Sequence, residues 1–162
     1  MLLISDSNII IDMEAGSLLE AMFGLADEFA VPDVLFAEEL EPTYPQLRSL
    51  GLKICELSDK SVEYMVELHS THGSLGTNDL MAWALARQEQ CPLLTGDRRL
   101  CQSARDAGVE VRGTLWLMQR MKDERLITPS AAASAYRRMR TTGSRLPWSD
   151  VEKQLNSWKK RK

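Results

Sequence analysis

Apolar positions near the start of the chain come in short runs, each followed by an acid. Leu2–Ser5 is a run of strand length with Asp6 directly after it. Helical spacing then extends from Ile9 to about Gly24, with a predicted break at Gly16-Ser17 and Ser17 as the predicted N-cap of the second piece. "FAVPD" predicts a second short strand ended by Pro32 and Asp33. Val34 to Leu40 has helical character, carries Glu38 and Glu39, and is stopped by Pro42 and Pro45. "LKICEL" alternates as a strand does. Ser58 then opens a helix with Val62, Met65, Val66 and His69 on related faces.

The clearest helix is "GTNDLMAWALARQEQ", rich in Ala and Leu, with Thr77 or Asn78 as its predicted cap. The strand "CPLLT", the helix "RRLCQSARDAG" and the strand "VEVRG" follow. Three more helical segments complete the chain: "TLWLMQRMKDERL", "TPSAAASAYRRMRTTG" and "PWSDVEKQLNSWKK". In the second, Thr128 is placed as cap and Pro129 at the first helical position. Strands alternating with helices predict βαβ units, an α/β fold and a mostly parallel sheet. Such connections bring the C-terminal ends of the strands to one edge, where open α/β sheets bind ligands. Asp6 and Asp97 each follow an apolar strand and are therefore expected on that shared edge.

Composition narrows the class. The 162 residues are 44% hydrophobic and 27% charged, which suits a single globular domain with a real core. No apolar stretch approaches the roughly 20 residues of a membrane span, and the N-terminus lacks the pattern of a signal peptide. Three widely spaced cysteines, Cys55, Cys91 and Cys101, fit neither a disulfide framework nor a zinc ribbon and suggest a reducing, cytoplasmic setting. Net charge is −3, but unevenly spread. Residues 1–135 hold 11 Lys/Arg against 21 Asp/Glu, and residues 136–162 hold 9 against 2. The basic end, with Arg137, Arg138, Arg140, Arg145 and the terminal "KKRK", either contacts phosphates or pairs with solvent and the chain's own acids.

Each acid also has a plain structural role open to it. Asp97 suits the cap of the helix beginning at Arg98, and Asp79 lies in a first helical turn, where negative charge is favoured. Glu38 and Glu39 suit solvent-facing positions. Asp6, Asn8 and Asp12 suit a turn after the first strand. His69 and His72, without a cysteine pair, make a poor metal site. Trp83, with Met81 and Leu85, reads as packing rather than as a base-stacking platform, and so does Trp116 with Leu117 and Met121, dimer contact being a third option for Trp116. Trp148 and Trp158 are undetermined in the sequence.

Taken in order, "LLISDSNIIID", "VPDVLFAEEL", "GTNDLMAWALA", "PLLTGDRRL" and "AGVEVRGTLWLM" resemble the PIN-domain nucleases. Within them the pattern is most similar to the VapC-like toxin ribonucleases of toxin–antitoxin pairs. The resemblance covers most of residues 1–120. "LITPSAAASAYRRM" and "GSRLPW" are similar to the helical extension of one PIN subgroup. It implies a three-layer α/β/α domain over 1–162, with a core at 1–120 and a basic helical extension at 121–162. It also implies a catalytic, metal-holding quartet of Asp6, Glu39, Asp79 and Asp97, with Glu38 as substitute for Glu39. Asn8 would support the first turn, and Thr95 would orient a water or carboxylate.

Four converging carboxylates repel one another, and a hard divalent cation, Mg²⁺ or Mn²⁺, relieves that repulsion. The chemistry implied is metal-dependent hydrolysis of RNA phosphodiesters. An RNA substrate, an antitoxin and a homodimer are the implied partners. Where some relatives carry a further acid, this chain has Arg99, which puts a second metal in question. Arg98 and Arg99 are candidates for a substrate phosphate or a solvated helical turn. The competing reading is a catalytically degenerate PIN-fold binding or scaffold protein. A receiver-type phosphoacceptor lacks its lysine after "VEVRG", the next being Lys122, and no G-x-G-x-x-G supports a dinucleotide fold.

Overall fold

The structure is a computed structural model that describes residues 1–159; Lys160, Arg161 and Lys162 of the basic terminus lie outside the described residues. Its elements in order are β1 (Leu2–Ser5), α1 (Ser7–Ala15), α2 (Leu19–Phe23), β2 (Glu28–Pro32) and α3 (Asp33–Leu35), which runs into a π-helical turn at Phe36–Leu40. Next come α4 (Leu47–Leu50), β3 (Lys53–Cys55), α5 (Asp59–Thr71), α6 (Thr77–Glu89), β4 (Leu93–Leu94), α7 (Arg98–Asp106) and β5 (Val111–Arg112). Three helices finish the chain: α8 (Thr114–Asp123), α9 (Pro129–Thr141) and α10 (Trp148–Lys159).

Among the described residues the strands form one sheet in the order β3-β2-β1-β4-β5, and every pairing is parallel. The chain leaves β1 toward β2 and β3, then crosses back to β4 on the other side. Right-handed crossovers therefore place α1 and α2 on one face and α5, α6 and α7 on the other. The strand order reverses between β1 and β4, so the crevice at their C-terminal ends is the switch point where parallel sheets expose ligand sites. Ile4 pairs with Leu93 and Ser5 with Leu94. The amide of Asp6 donates to the Leu94 carbonyl at 3.0 Å, which sets Asp6 directly over that crevice.

The helix α6 explains its own composition. Seven successive residues, Leu80 to Ala86, are buried. A helix buried on all sides has no polar face to display. It lies against β1, β2 and β4 on one side and α5 on the other. Trp83 is fully buried, with the Tyr64 and His72 rings edge-on to it at 6.4 and 5.1 Å. It is packing, as its spacing suggested.

Two predicted caps are corrected. Ser17 does not cap α2, which starts at Leu19 after Leu18 without a side-chain cap. Ser17 instead takes the left-handed conformation (φ 58°) that ends α1, and Leu18 donates back to the Met13 carbonyl at 2.8 Å. The neighbouring glycine is not free for that role. A Cβ on Gly16 would meet Met139 Cε at 2.8 Å and Ala135 Cβ at 3.2 Å, because α9 crosses α1 there. Neither Thr77 nor Asn78 caps α6; Gly76 holds that position and Thr77 is already helical. Thr128 and Pro129 open α9 as predicted, with Ala131 N–H donating to Thr128 Oγ1 at 3.0 Å.

The last helices are tied to the body by polar contacts as well as burial. Tyr136 donates to Gln154 Oε1 at 2.6 Å, and Gln154 donates to the Leu115 carbonyl at 2.8 Å. Trp158 is buried, and its indole N–H donates to Gln119 at 2.9 Å. Arg138 donates to the Gly16 carbonyl at 2.7 Å. The residues described on the basic end thus partly grip the body itself.

Candidate active site

The site is built from the residues that follow β1 and β4. Asp6 is the N-cap of α1, its Oδ1 accepting from Ile9 N–H at 3.0 Å. Its other oxygen, Oδ2, accepts from the Thr95 hydroxyl at 2.5 Å. Thr95 Oγ1 in turn accepts from the Asp97 N–H at 3.1 Å. Asp97 caps α7, accepting from Leu100 N–H at 2.9 Å. Capping takes one oxygen of Asp97, whereas both oxygens of Asp6 already accept a hydrogen bond, each with a lone pair left for a further ligand.

Burial sets the electrostatics. Asp6 is only 1% exposed. Loss of water pushes its carboxyl up to about 7 against the opposing pull of Thr95 and Ile9, with Asp79 and Asp12 adding repulsion. Asp79, half-buried at the start of α6, is also raised, first by burial and then by the charges of Asp97 and Glu39. The four acids thus act on one another through a chain from Asp6 to Asp79 and from Asp79 to Asp97 and Glu39. Such mutual repulsion is what an all-oxygen donor set does before a cation joins it. Among the described residues, no three His, Cys, Asp or Glu side chains already stand at the spacing of a metal cluster.

The two glutamates separate. Glu38 accepts from the Asn78 amide at 3.1 Å, while Glu39 is the one whose charge is felt at Asp79. Both are exposed on the π-helical turn and line a cavity of about 330 Å³ with Asp79. Asn8 is exposed on α1, where the turn is already fixed by Asp6, and it lines a cavity of about 620 Å³ together with Asp12 and Asp97. Arg98 and Arg99 are both exposed in the first turn of α7. Their positive charge there opposes the helix dipole, so helix stability does not account for them.

The sequence reading did not foresee the loop between α9 and α10. Ser144 donates to Asp12 Oδ1 at 2.7 Å, across 132 positions of chain. Burial raises the Asp12 carboxyl and the Ser144 bond lowers it, with burial the larger effect. Arg145, next in the chain, lines the 620 Å³ cavity together with Asp97. Nothing in the local pattern of either segment signals a contact at that separation.

A parallel α/β sheet that collects carboxylates at its switch point is a class with a site for hard cations or phosphates. The chain belongs to the PIN-domain family: the family model described as DUF3368, PIN domain, matches residues 2–160. PIN-domain proteins are nucleases as a family. Solved structures share the fold. A PilT N-terminus domain protein from the hyperthermophilic archaeon Sulfolobus solfataricus P2 aligns with a TM-score of 0.54 at 14% identity, over 75% of this chain and 93% of that one. VapBC2 from Rickettsia felis, bound to a DNA fragment from their promoter, aligns at 0.50 and 18% identity, over 70% of this chain and 98% of that one. No curated protein matches the sequence. Among the described residues no helix is long and apolar enough to cross a membrane.

Proposed function

We propose that this PIN-domain protein is a metal-dependent endoribonuclease, the toxin of a toxin–antitoxin pair acting in the cytoplasm. The observation that carries the proposal is Asp6, a buried carboxylate held by Thr95 and Ile9 over the switch point, within the electrostatic reach of Asp79. Asp6, Glu39, Asp79 and Asp97 would hold Mg²⁺ or Mn²⁺, and their hard oxygen donors suit either ion. When bound, the cation polarises the phosphodiester and acidifies a coordinated water.

The chain's own groups do the positioning. Thr95 and the Ile9 amide fix the Asp6 carboxylate, so it need not reorganise when substrate arrives. Asp97 is held to the same hydroxyl through its amide, which keeps the two acids in one frame. Arg98 and Arg99, exposed at the start of α7, present forked donors to the substrate phosphate. Family membership and the likeness to a VapBC assembly support an antitoxin partner. A homodimer and a division into a core at 1–120 and an extension at 121–162 belong to the same proposal.

The test is cleavage of labelled structured and unstructured RNAs with Mn²⁺, Mg²⁺ or EDTA, beside Asp6→Asn. Metal-dependent cutting that disappears in the variant supports the nuclease. A folded protein that neither cuts RNA nor binds Mn²⁺ leaves a PIN-fold scaffold with a degenerate site.

A further inference from the structure

A second cavity, of about 810 Å³, adjoins the 620 Å³ one. The two share Gly96, Asp97, Ser144, Arg145 and Leu146, so the α9–α10 loop borders both. The larger cavity is lined by Trp116 and Trp148, both half-buried, with Arg98 and Arg145 outnumbering the one acid, Asp97. Arg140 stands over the Trp148 ring at 5.1 Å, and Arg112 and Arg120 over Trp116 at 5.9 and 5.7 Å. The cavity also meets the start of α8, whose N-cap Gly113 offers no side chain. Thr114, 3% exposed on the same wall, has a buried hydroxyl without a hydrogen-bond partner.

Neither core packing nor a metal accounts for this combination. Both indoles already carry a guanidinium over the ring yet stay half-exposed, and that remaining surface with Arg98 and Arg145 suits a flat, polar-edged ring attached to an anion. The volume lies within the roughly 300–1,000 Å³ of small-ligand sites. Its position matters as much. Asp97, one of the candidate site acids, lines this cavity as well as the 620 Å³ one.

We propose that the cavity between Trp116 and Trp148 is a nucleotide subsite, in which a base of single-stranded RNA next to the cleaved phosphate stacks while Arg98 and Arg145 hold its phosphate. This rests on the nuclease reading above, which it extends to substrate choice. Aromatic stacking accepts any base and needs it unpaired, so the subsite selects single-stranded RNA over duplex.

The test measures binding apart from cleavage. Fluorescent single-stranded RNA hexamers in EDTA are titrated with wild type, Trp148→Leu, Trp148→Phe and Arg145→Gln, while cleavage of the same RNAs is followed in Mn²⁺. Trp148→Leu weakens binding by roughly 5- to 150-fold, the range for loss of one base–aromatic stack. Trp148→Phe retains most of the affinity. Wild-type protein photocross-linked to 5-iodouridine RNA yields adducts at Trp116 or Trp148, which requires no variant to fold. Equal binding by wild type and a folded Trp148→Leu, with adducts elsewhere, overturns the subsite even if cleavage is intact. Competition by hexaglutamate as effective as RNA also overturns it, assigning the cavity to acidic peptide. Trp148-dependent RNA binding without metal-dependent cleavage overturns the nuclease and leaves the subsite standing.

Discussion

Asp6→Asn is expected to stabilise the protein in the absence of divalent metal. The unfolded chain releases this proton near the ordinary aspartate value of 3.8, whereas burial in the folded chain holds it until about pH 7. Between those values the native state binds the extra proton, so stability falls as pH rises from about 4 to 7 and levels off above. The gap corresponds to about 4 kcal/mol as an upper limit. Asn keeps the oxygen that caps α1 but replaces the Oδ2 acceptor with an amide, so Thr95 must turn to accept. That rearrangement costs on the order of 1 kcal/mol. A net gain of about 1–3 kcal/mol at pH 8 is left, or roughly 2–12 °C in melting temperature for a chain this long. Melts of wild type and variant in EDTA at pH 4.5, 6, 7 and 8 give the comparison. The variant gains on wild type as pH rises, and Mn²⁺ at pH 8 stabilises wild type more than the variant. A variant less stable than wild type at pH 8, or a difference that does not change with pH, refutes the reasoning.

Other substitutions test separate parts of the structure. Thr95→Val removes the donor to Asp6 Oδ2 and the acceptor of the Asp97 amide; the Asp6 carboxyl rises further, and RNA cleavage at pH 7 falls about tenfold, with the rise of the pH–rate profile moved to higher pH. Asp27 is buried and pairs with Arg120 and the Met1 ammonium. Asp27→Asn lowers stability by about 1–3 kcal/mol in urea titrations, less than a fully buried pair because Arg120 is 35% exposed. Gly16→Ala drives a methyl against Met139 and Ala135 and costs about 1–2 kcal/mol, read as a lower melting temperature.

The sheet edge was legible because its acids directly follow apolar strands, and strand direction is fixed by the βα alternation. Asp6 and Asp97 therefore met as expected, and the predicted mostly parallel sheet is parallel throughout. The helix caps were less legible. Ser17 has the chemistry of an N-cap, yet α9 requires the glycine before it for close approach, and the left-handed turn falls to Ser17 instead. The strands "CPLLT" and "VEVRG" pair over only two residues each, since pairing length depends on neighbours that a local pattern does not contain. That Arg145 and Trp148 line a cavity with Asp97 was invisible for the same reason.

The bond between Thr95 and Asp6 joins residues 89 positions apart, and the Ser144–Asp12 bond joins residues 132 apart. A ribosome adding about 5–20 residues per second needs roughly 4–18 s to carry the chain from the first of these acids to its threonine. Until β4 is made and inserted beside β1, Asp6 has no hydroxyl to hold it and no Asp97 beside it. The loop shared by the two cavities closes only after residues 144–146 have been synthesised. Parallel pairing over such distances is also slow to form. The first acid of the site is thus translated early and completed last, so the carboxylates of this sheet edge come together only once β4 has been paired beside β1.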